Sequence, residues 1–128
     1  MLLHSGLTER IIGAALSVHQ ELAPGLLESA YSACLAHELH RAAVRFETQV
    51  RLPIRYRNIH VDAGYRLDFI VEDAVVLELK AVEQVLPVHR AQLLSSLRLS
   101  GLSVGLLLNF NVVHLRHGIQ RMVLSPRV

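Results

Sequence analysis

The sequence is short of the residues that staple a chain or anchor it in a bilayer. Its one cysteine, Cys34, excludes an internal disulfide, which fits a reducing compartment. No apolar run approaches the length of a membrane-spanning helix. Polar residues stand where a signal peptide needs its hydrophobic segment, so the expectation is a cytoplasmic protein with no membrane partner. Repeats, low-complexity tracts and linkers are missing too. That leaves the 128 residues as one domain, 1–128, long enough to bury a single core. Excess charge is also small: 13 Lys and Arg against 11 Asp and Glu give a formal net charge of +2. Such a balance is compatible with nucleic-acid contact and too mild to require it. A hydrophobic fraction of 52% excludes disorder. Lysine is rarest among the charged residues, because Lys80 is the only one and the other twelve basic side chains are arginines.

What is present is organised around Gly64 to Ala81, GYRLDFIVEDAVVLELKA. Asp68, Glu78 and Lys80 sit there among Leu, Ile, Val and Phe, where strand periodicity would bury them. A buried lone charge is costly unless it is paired or binds a metal, so the cluster is a candidate site. The structural alternative is a buried salt-bridge network without catalysis.

In chain order, Leu7, Ile11, Ile12, Ala15, Val18 and Leu22 give an apolar face at helical spacing, which predicts a helix over about 8–21 before Pro24-Gly25 stops it. A second helix is predicted over 26–43, with Glu28 inside its apolar stripe, where a purely structural helix would not place it. A first-turn carboxylate serving free amides is the plainer account of Glu28. Residues 46–57 alternate apolar and polar as a half-buried strand, and Pro53 marks an edge or a break. The arginines on its polar face suit a solvated surface better than a phosphate site. Strands over 65–71 and 75–81 should form an antiparallel hairpin. Asp68 can oppose Glu78 only if Val71 opposes Val75 across a three-residue connection, Glu72 to Ala74. Pro87 starts a third helix over 88–100, with Leu93, Leu94 and Leu97 on its core side and His89, Gln92, Ser96 and Leu99 on a second, mixed stripe. An apolar run, 102–110, reads as a central strand that makes a βαβ unit with the strand before it. A last strand is predicted over 119–124.

Two carboxylates on adjacent strands suit a hard cation, magnesium or manganese, with the backbone carbonyl of Leu79 as a further oxygen ligand. Lys80 on the same face would orient a water or offset charge on a phosphate. Such a donor set does not favour imidazole, so His19 and His89 are expected on helix surfaces or behind the site rather than as ligands. Tyr31 and Cys34 are expected in the core, Tyr31 with its hydroxyl on an acidic neighbour. Asn109 and Asn111 are left without a role.

The order of Asp68, nine residues, Glu78-Leu79-Lys80, then a helix with Gln92 resembles the PD-(D/E)xK nuclease superfamily. Gly25-Leu-Leu-Glu28-Ser-Ala-Tyr31 is similar to the signature of the GxxExxY protein family within it. This resemblance spans nearly the whole chain. It implies an α/β fold, a restriction-endonuclease-like core with a mixed β-sheet flanked by α-helices. The implied activity is metal-dependent hydrolysis of phosphodiester bonds in DNA or RNA. It further implies Asp68 and Glu78 as the metal ligands, Lys80 as the catalytic lysine, and Glu28 and Gln92 as residues that complete the site. In the exonuclease-like branch a Tyr follows the Gln by four positions. Here that place holds Ser96, and Leu67 replaces the Pro before the motif aspartate. A nucleic acid is the implied partner. The small size and mild charge favour dependence on a homodimer or a protein partner. The rival expectation is a catalytically silent module of this fold acting in nucleic-acid binding or protein assembly.

Overall fold

Two amphipathic helices open the chain in the computed structural model, which describes residues 3–125. The extreme ends of the expected 1–128 domain lie outside them. Helix α1, Ser5–Leu22, buries Ile11, Ala14, Ala15 and Val18 on one face. It ends where Ala23 takes φ 59° ahead of Pro24. Helix α2 covers Glu28–Arg41 and is shorter at both ends than its sequence pattern predicts. Leu26 and Leu27 belong to the exposed connection, so Glu28 is the first residue of the helix rather than an interior one.

The expected strand over 46–57 divides at Leu52-Pro53. Its first part, β1 (Phe46–Arg51), is an edge of the main sheet. Its second part, β2 (Ile54–Tyr56), pairs instead with an unforeseen strand, β3 (Ile59–Val61), in a separate two-stranded ribbon. Proline cannot donate to a ladder, which accounts for the break. Strands β4 (Arg66–Val71) and β5 (Val75–Lys80), helix α3 (Pro87–Ser100), and strands β6 (Val104–Asn109) and β7 (Ile119–Val123) follow near their predicted limits, with a short 3-10 turn at Leu115–Gly118. The sheet order is β1-β4-β5-β6-β7, antiparallel except for the parallel β5-β6 pair that α3 connects. This is a mixed sheet flanked by helices, the α/β arrangement expected, and it is consistent with a restriction-endonuclease-like core.

The sheet has two buried faces. Leu77, Leu79, Leu106 and Leu108 pack with α1 and α2, whereas Val76 and Leu107 pack with Leu93 and Leu97 of α3. Each such fully buried leucine contributes about 1.5–3 kcal/mol relative to exposure. Gly105 lets α3 approach β6 closely, since a β-carbon there would lie 2.8 Å from Leu93 Cδ1. Among the described residues no helix is long and apolar enough to cross a membrane.

The hairpin register is the one the site demands. Val71 opposes Val75, Ile70 opposes Val76 and Phe69 opposes Leu77, after which the β4-β5 ladder stops. Beyond that point each strand is held by its outer neighbour. Leu67 and Arg66 pair with Val50 and Arg51 of β1, and Glu78, Leu79 and Lys80 pair with Leu107, Leu108 and Asn109 of β6. Opposite Asp68, Gln49 of β1 has φ 52°. This distortion carries Val50 and Leu67 to the α3 side, whereas Phe46 and Phe69 face α1 and α2. The hairpin is therefore a fork, zipped toward the turn and open toward Asp68 and Glu78.

Candidate functional site

The open end of the fork is spanned by a side chain in place of ladder bonds. Leu79 N–H donates to Asp68 Oδ2 at 2.8 Å. A strand residue directs its amide and carbonyl to the same edge. The Leu79 carbonyl therefore faces the gap beside Asp68, where β4 offers it no ladder partner. Glu78 and Lys80, two residues apart on β5, project together toward α3. There Ser96 Oγ lies 3.3 Å from Glu78 Oε1 and 3.0 Å from the carbonyl oxygen of Gln92, its two hydrogen-bond acceptors. Lys80 Nζ donates to Gln92 Oε1 at 3.5 Å. Asp68, Glu78, Lys80, Gln92 and Glu28 line one cleft of about 490 Å³. The five side chains predicted for the site are thus brought together, with Asp68 and Glu78 on a common side. The expected direct opposition of Asp68 and Glu78 is replaced by the fork.

Glu28 reaches the cleft from the other layer of the fold, at the mouth rather than the floor. The residue as a whole is exposed, but its carboxyl stands close enough to the others to feel them. What holds it there is local chemistry that gives the Gly25, Glu28, Tyr31 spacing a physical meaning. Gly25 has φ 105°, which a glycine adopts without strain. Tyr31 is fully buried, stacked on Phe110 at 4.6 Å, with its hydroxyl donating to the Ala23 carbonyl at 2.6 Å and accepting from Leu26 N–H at 3.1 Å. Its partners are backbone atoms of the connection, not the acidic neighbour expected. Tyr31→Phe keeps the stacked ring and orphans both backbone groups. It should cost about 1–2 kcal/mol in denaturant unfolding. An unchanged midpoint would mean that Pro24 and Gly25 shape the connection unaided.

The electrostatics of the cleft are unbalanced. Burial is the largest cause raising Asp68, opposed by the Leu79 amide and by Lys80. Glu78 is raised by burial, lowered by Lys80 and raised again by Asp68. Glu28 is raised by burial and then by Asp68, while Lys80 lowers it. Three acids therefore share one ammonium, and among the described residues no ion pair joins Lys80 to any of them. A closed salt-bridge network would have made such pairs. As a donor set for a hard cation the residues fit. Asp68 Oδ1, Glu78 Oε2 and the Leu79 carbonyl are oxygens with lone pairs to spare, and uncompensated negative charge surrounds them. They are not gathered tightly in advance, since no three His, Cys, Asp or Glu among the described residues form a ready-made metal cluster.

Other residues fall outside the cleft. His19 is buried rather than on a helix surface, with Nε2 donating to the Val112 carbonyl at 2.8 Å, and it ties α1 to the loop after β6. His89 Nδ1 accepts from Leu86 N–H at 3.0 Å and caps α3. Cys34 is half-buried against the core.

Two contributors escaped the sequence reading. Ser96 bonds Glu78, and its place one turn beyond Gln92 was the available signal. Asn109 is buried and grips the chain after Lys80: Val82 N–H donates to its Oδ1 at 3.1 Å and its Nδ2 donates to the Val82 carbonyl at 2.9 Å. Nothing local in the sequence announces that grip.

A family model described as the PD-(D/E)XK nuclease superfamily matches residues 5–122. No curated protein and no solved structure gives a significant match.

Proposed function

We propose, for a chain that belongs to the PD-(D/E)XK nuclease superfamily, that it hydrolyses phosphodiester bonds in nucleic acid at the open fork of β4 and β5. The observation that carries this reading is one cleft in which the half-buried Asp68 and Glu78, with exposed Glu28 at the mouth, gather around Lys80 without an ion pair to it among the described residues. Asp68, Glu78 and the Leu79 carbonyl would hold magnesium or manganese. A bound divalent cation supplies Lewis-acid stabilisation of developing charge and acidifies water. The chain's own groups do the rest. Lys80, steadied by Gln92, presents its ammonium to a phosphate oxygen or orients the attacking water. Ser96 fixes the rotamer of Glu78. Glu28, at the cleft mouth, completes the acidic ring directly or through water. The Gly25, Glu28, Tyr31 spacing supports placement within the GxxExxY family, because each of the three residues has a defined part in presenting that acid.

The test is cleavage of single-stranded, double-stranded and branched substrates with and without Mg2+ or Mn2+. Lys80→Ala should lower the rate by about 10²–10³-fold, the scale of removing one preorganised electrostatic group. Undiminished cleavage by that variant would remove Lys80 from the mechanism.

The second reading, a silent binding or assembly module, is favoured by one observation, the exposure of Glu28, which leaves Asp68 and Glu78 as the two enclosed carboxylates of the cleft. Thermal unfolding separates the two. All three acids titrate above their ordinary values, so the folded state binds more protons than the unfolded one just above the usual carboxylate range. Without divalent ions, these groups make stability fall as pH rises through that window. Manganese should restore it, with a shift in unfolding midpoint that is largest near neutrality and fades on acidification. No shift at neutral pH, or one unchanged in Glu78→Gln, would favour the silent module.

A further inference from the structure

We propose that the β2-β3 ribbon and the residues flanking it form a docking arm for single-stranded nucleic acid, with unpaired bases stacking on Tyr56 and Tyr65 and phosphates meeting Arg55, Arg57 and Arg66. This names the substrate class of the fork and rests on the nuclease reading for what happens at the end of the arm.

Charge is the first ground. Residues 51–66 hold four arginines and one acid, a net +3, against +2 for the whole chain, so everything outside this segment sums to −1. Within it, like charges are placed face to face. Arg51 opposes Arg66 across β1 and β4. Directly opposed like charges destabilise a sheet. Arg51 finds relief in Asp62 at 3.2 Å, but no ion pair among the described residues relieves Arg66. An external anion would.

Aromatic placement is the second. Of three tyrosines, Tyr31 is buried, and the two exposed ones, Tyr56 at 58% and Tyr65 at 57%, both fall in this segment. On the ribbon, Tyr56 shares a face with Ile54 and opposes Ile59, itself 56% exposed. A lone two-stranded ribbon is marginal in water, yet this one leaves its apolar face uncovered. The third ground is the turn. Arg57 begins a two-residue connection at φ 53°, a backbone state that costs an L-residue and suits glycine. Its guanidinium lies 5.6 Å over the Tyr56 ring. The turn therefore holds a cation beside the exposed ring.

Continuity with the site completes the case. Tyr65, Arg66 and Ile54 line the same cleft as Asp68, Glu78 and Lys80. The cleft is of the size that encloses small ligands, and residues of the arm and the acids share its lining. Stacking on tyrosine needs a free base face, which an unpaired strand offers and a duplex hides. A basic track with interspersed aromatics is the arrangement that binds single strands.

Fluorescence anisotropy with a labelled single-stranded oligonucleotide, and with its duplex, tests the arm in EDTA, where cleavage cannot intervene. The single strand should bind more tightly than the duplex. Tyr56→Ala and Tyr65→Ala should each weaken binding by about 5- to 100-fold while keeping the native circular dichroism spectrum. Arg55→Ala with Arg57→Ala should flatten the salt dependence by about 0.7 in log–log slope for each phosphate no longer neutralised. Arg57→Gly should weaken binding without lowering the unfolding midpoint, since glycine relieves the turn. The proposal is overturned by absent binding, by duplex preference, or by tyrosine variants of native affinity. It is equally overturned if the wild type sediments as a dimer that Tyr56→Ala dissociates with oligonucleotide affinity unchanged, which would give the face to a second copy. Arm-dependent binding in a protein that cleaves nothing would sink the nuclease reading alone, and metal-dependent cleavage with arm-independent binding would sink the arm alone.

Discussion

Asp68→Asn should lose metal-dependent cleavage by a factor on the order of 10³ while making the metal-free protein more stable, by about 0.5–2 kcal/mol. The amide oxygen of an asparagine can still accept the Leu79 N–H that Asp68 Oδ2 accepts at 2.8 Å, so the fork keeps its bridge. What disappears is a desolvated negative charge that raises its neighbours Glu28 and Glu78. Single-turnover cleavage and denaturant unfolding in EDTA, run on the same preparation, give both halves of the result. A variant that lost activity and stability together would show that the charge of Asp68 is structural. Asp68→Ala is the contrasting control. It orphans the Leu79 amide, so it should destabilise by about 1–3 kcal/mol despite removing the same charge.

Asn109→Ala should be the most disruptive polar substitution in the molecule, costing about 3 kcal/mol. Asn109 is 2% exposed and serves three backbone groups: the Val82 amide and carbonyl, and Asn111 N–H at 3.2 Å. Removing it strands buried donors and an acceptor at about 1–3 kcal/mol for an unsatisfied group, partly relieved if water enters. Asn109 also pairs with Lys80 in the β5-β6 register, and Phe110 N–H donates to the Lys80 carbonyl at 2.9 Å. The substitution therefore loosens the backbone that aims Lys80 without touching the lysine itself. Denaturant unfolding reads the stability loss. A drop in kcat with KM unchanged, in protein still folded at the assay temperature, reads the positioning role. A midpoint within about 0.5 kcal/mol of wild type would refute the grip.

Strands β4 and β5 were legible because charge inside an apolar run is conspicuous, and the requirement that Val71 oppose Val75 followed from period two alone. Glu28 was legible as a misplaced acid, although the helix starts two residues later than its pattern predicts and the acid is terminal. The fork was not legible. Strand periodicity assumes that pairing continues as far as the apolar pattern does, and here a side-chain carboxylate competes for a ladder amide. The ribbon was missed for a related reason. Residues 46–57 alternate without interruption, and only Pro53 hints that partners change partway along. Asn109 escaped because its partner Val82 is distant in sequence and a short polar residue in a strand carries no mark of what it will touch, whereas Ser96 had only its helical spacing from Gln92 to place it on the site's stripe.

The bridge from Asp68 to Leu79 also sets a limit on how this fold can vary. Strands β4 and β5 have residues enough to zip from the turn to Lys80, and such pairing would satisfy the Leu79 amide as well as Asp68 does. Asp68 thus bridges an opening that the pairing of its strands with β1 and β6 and the turned backbone at Gln49 hold apart, so without its carboxylate the Leu79 amide has no ladder partner. A longer ladder would satisfy that amide only by closing the gap between Asp68 and Glu78.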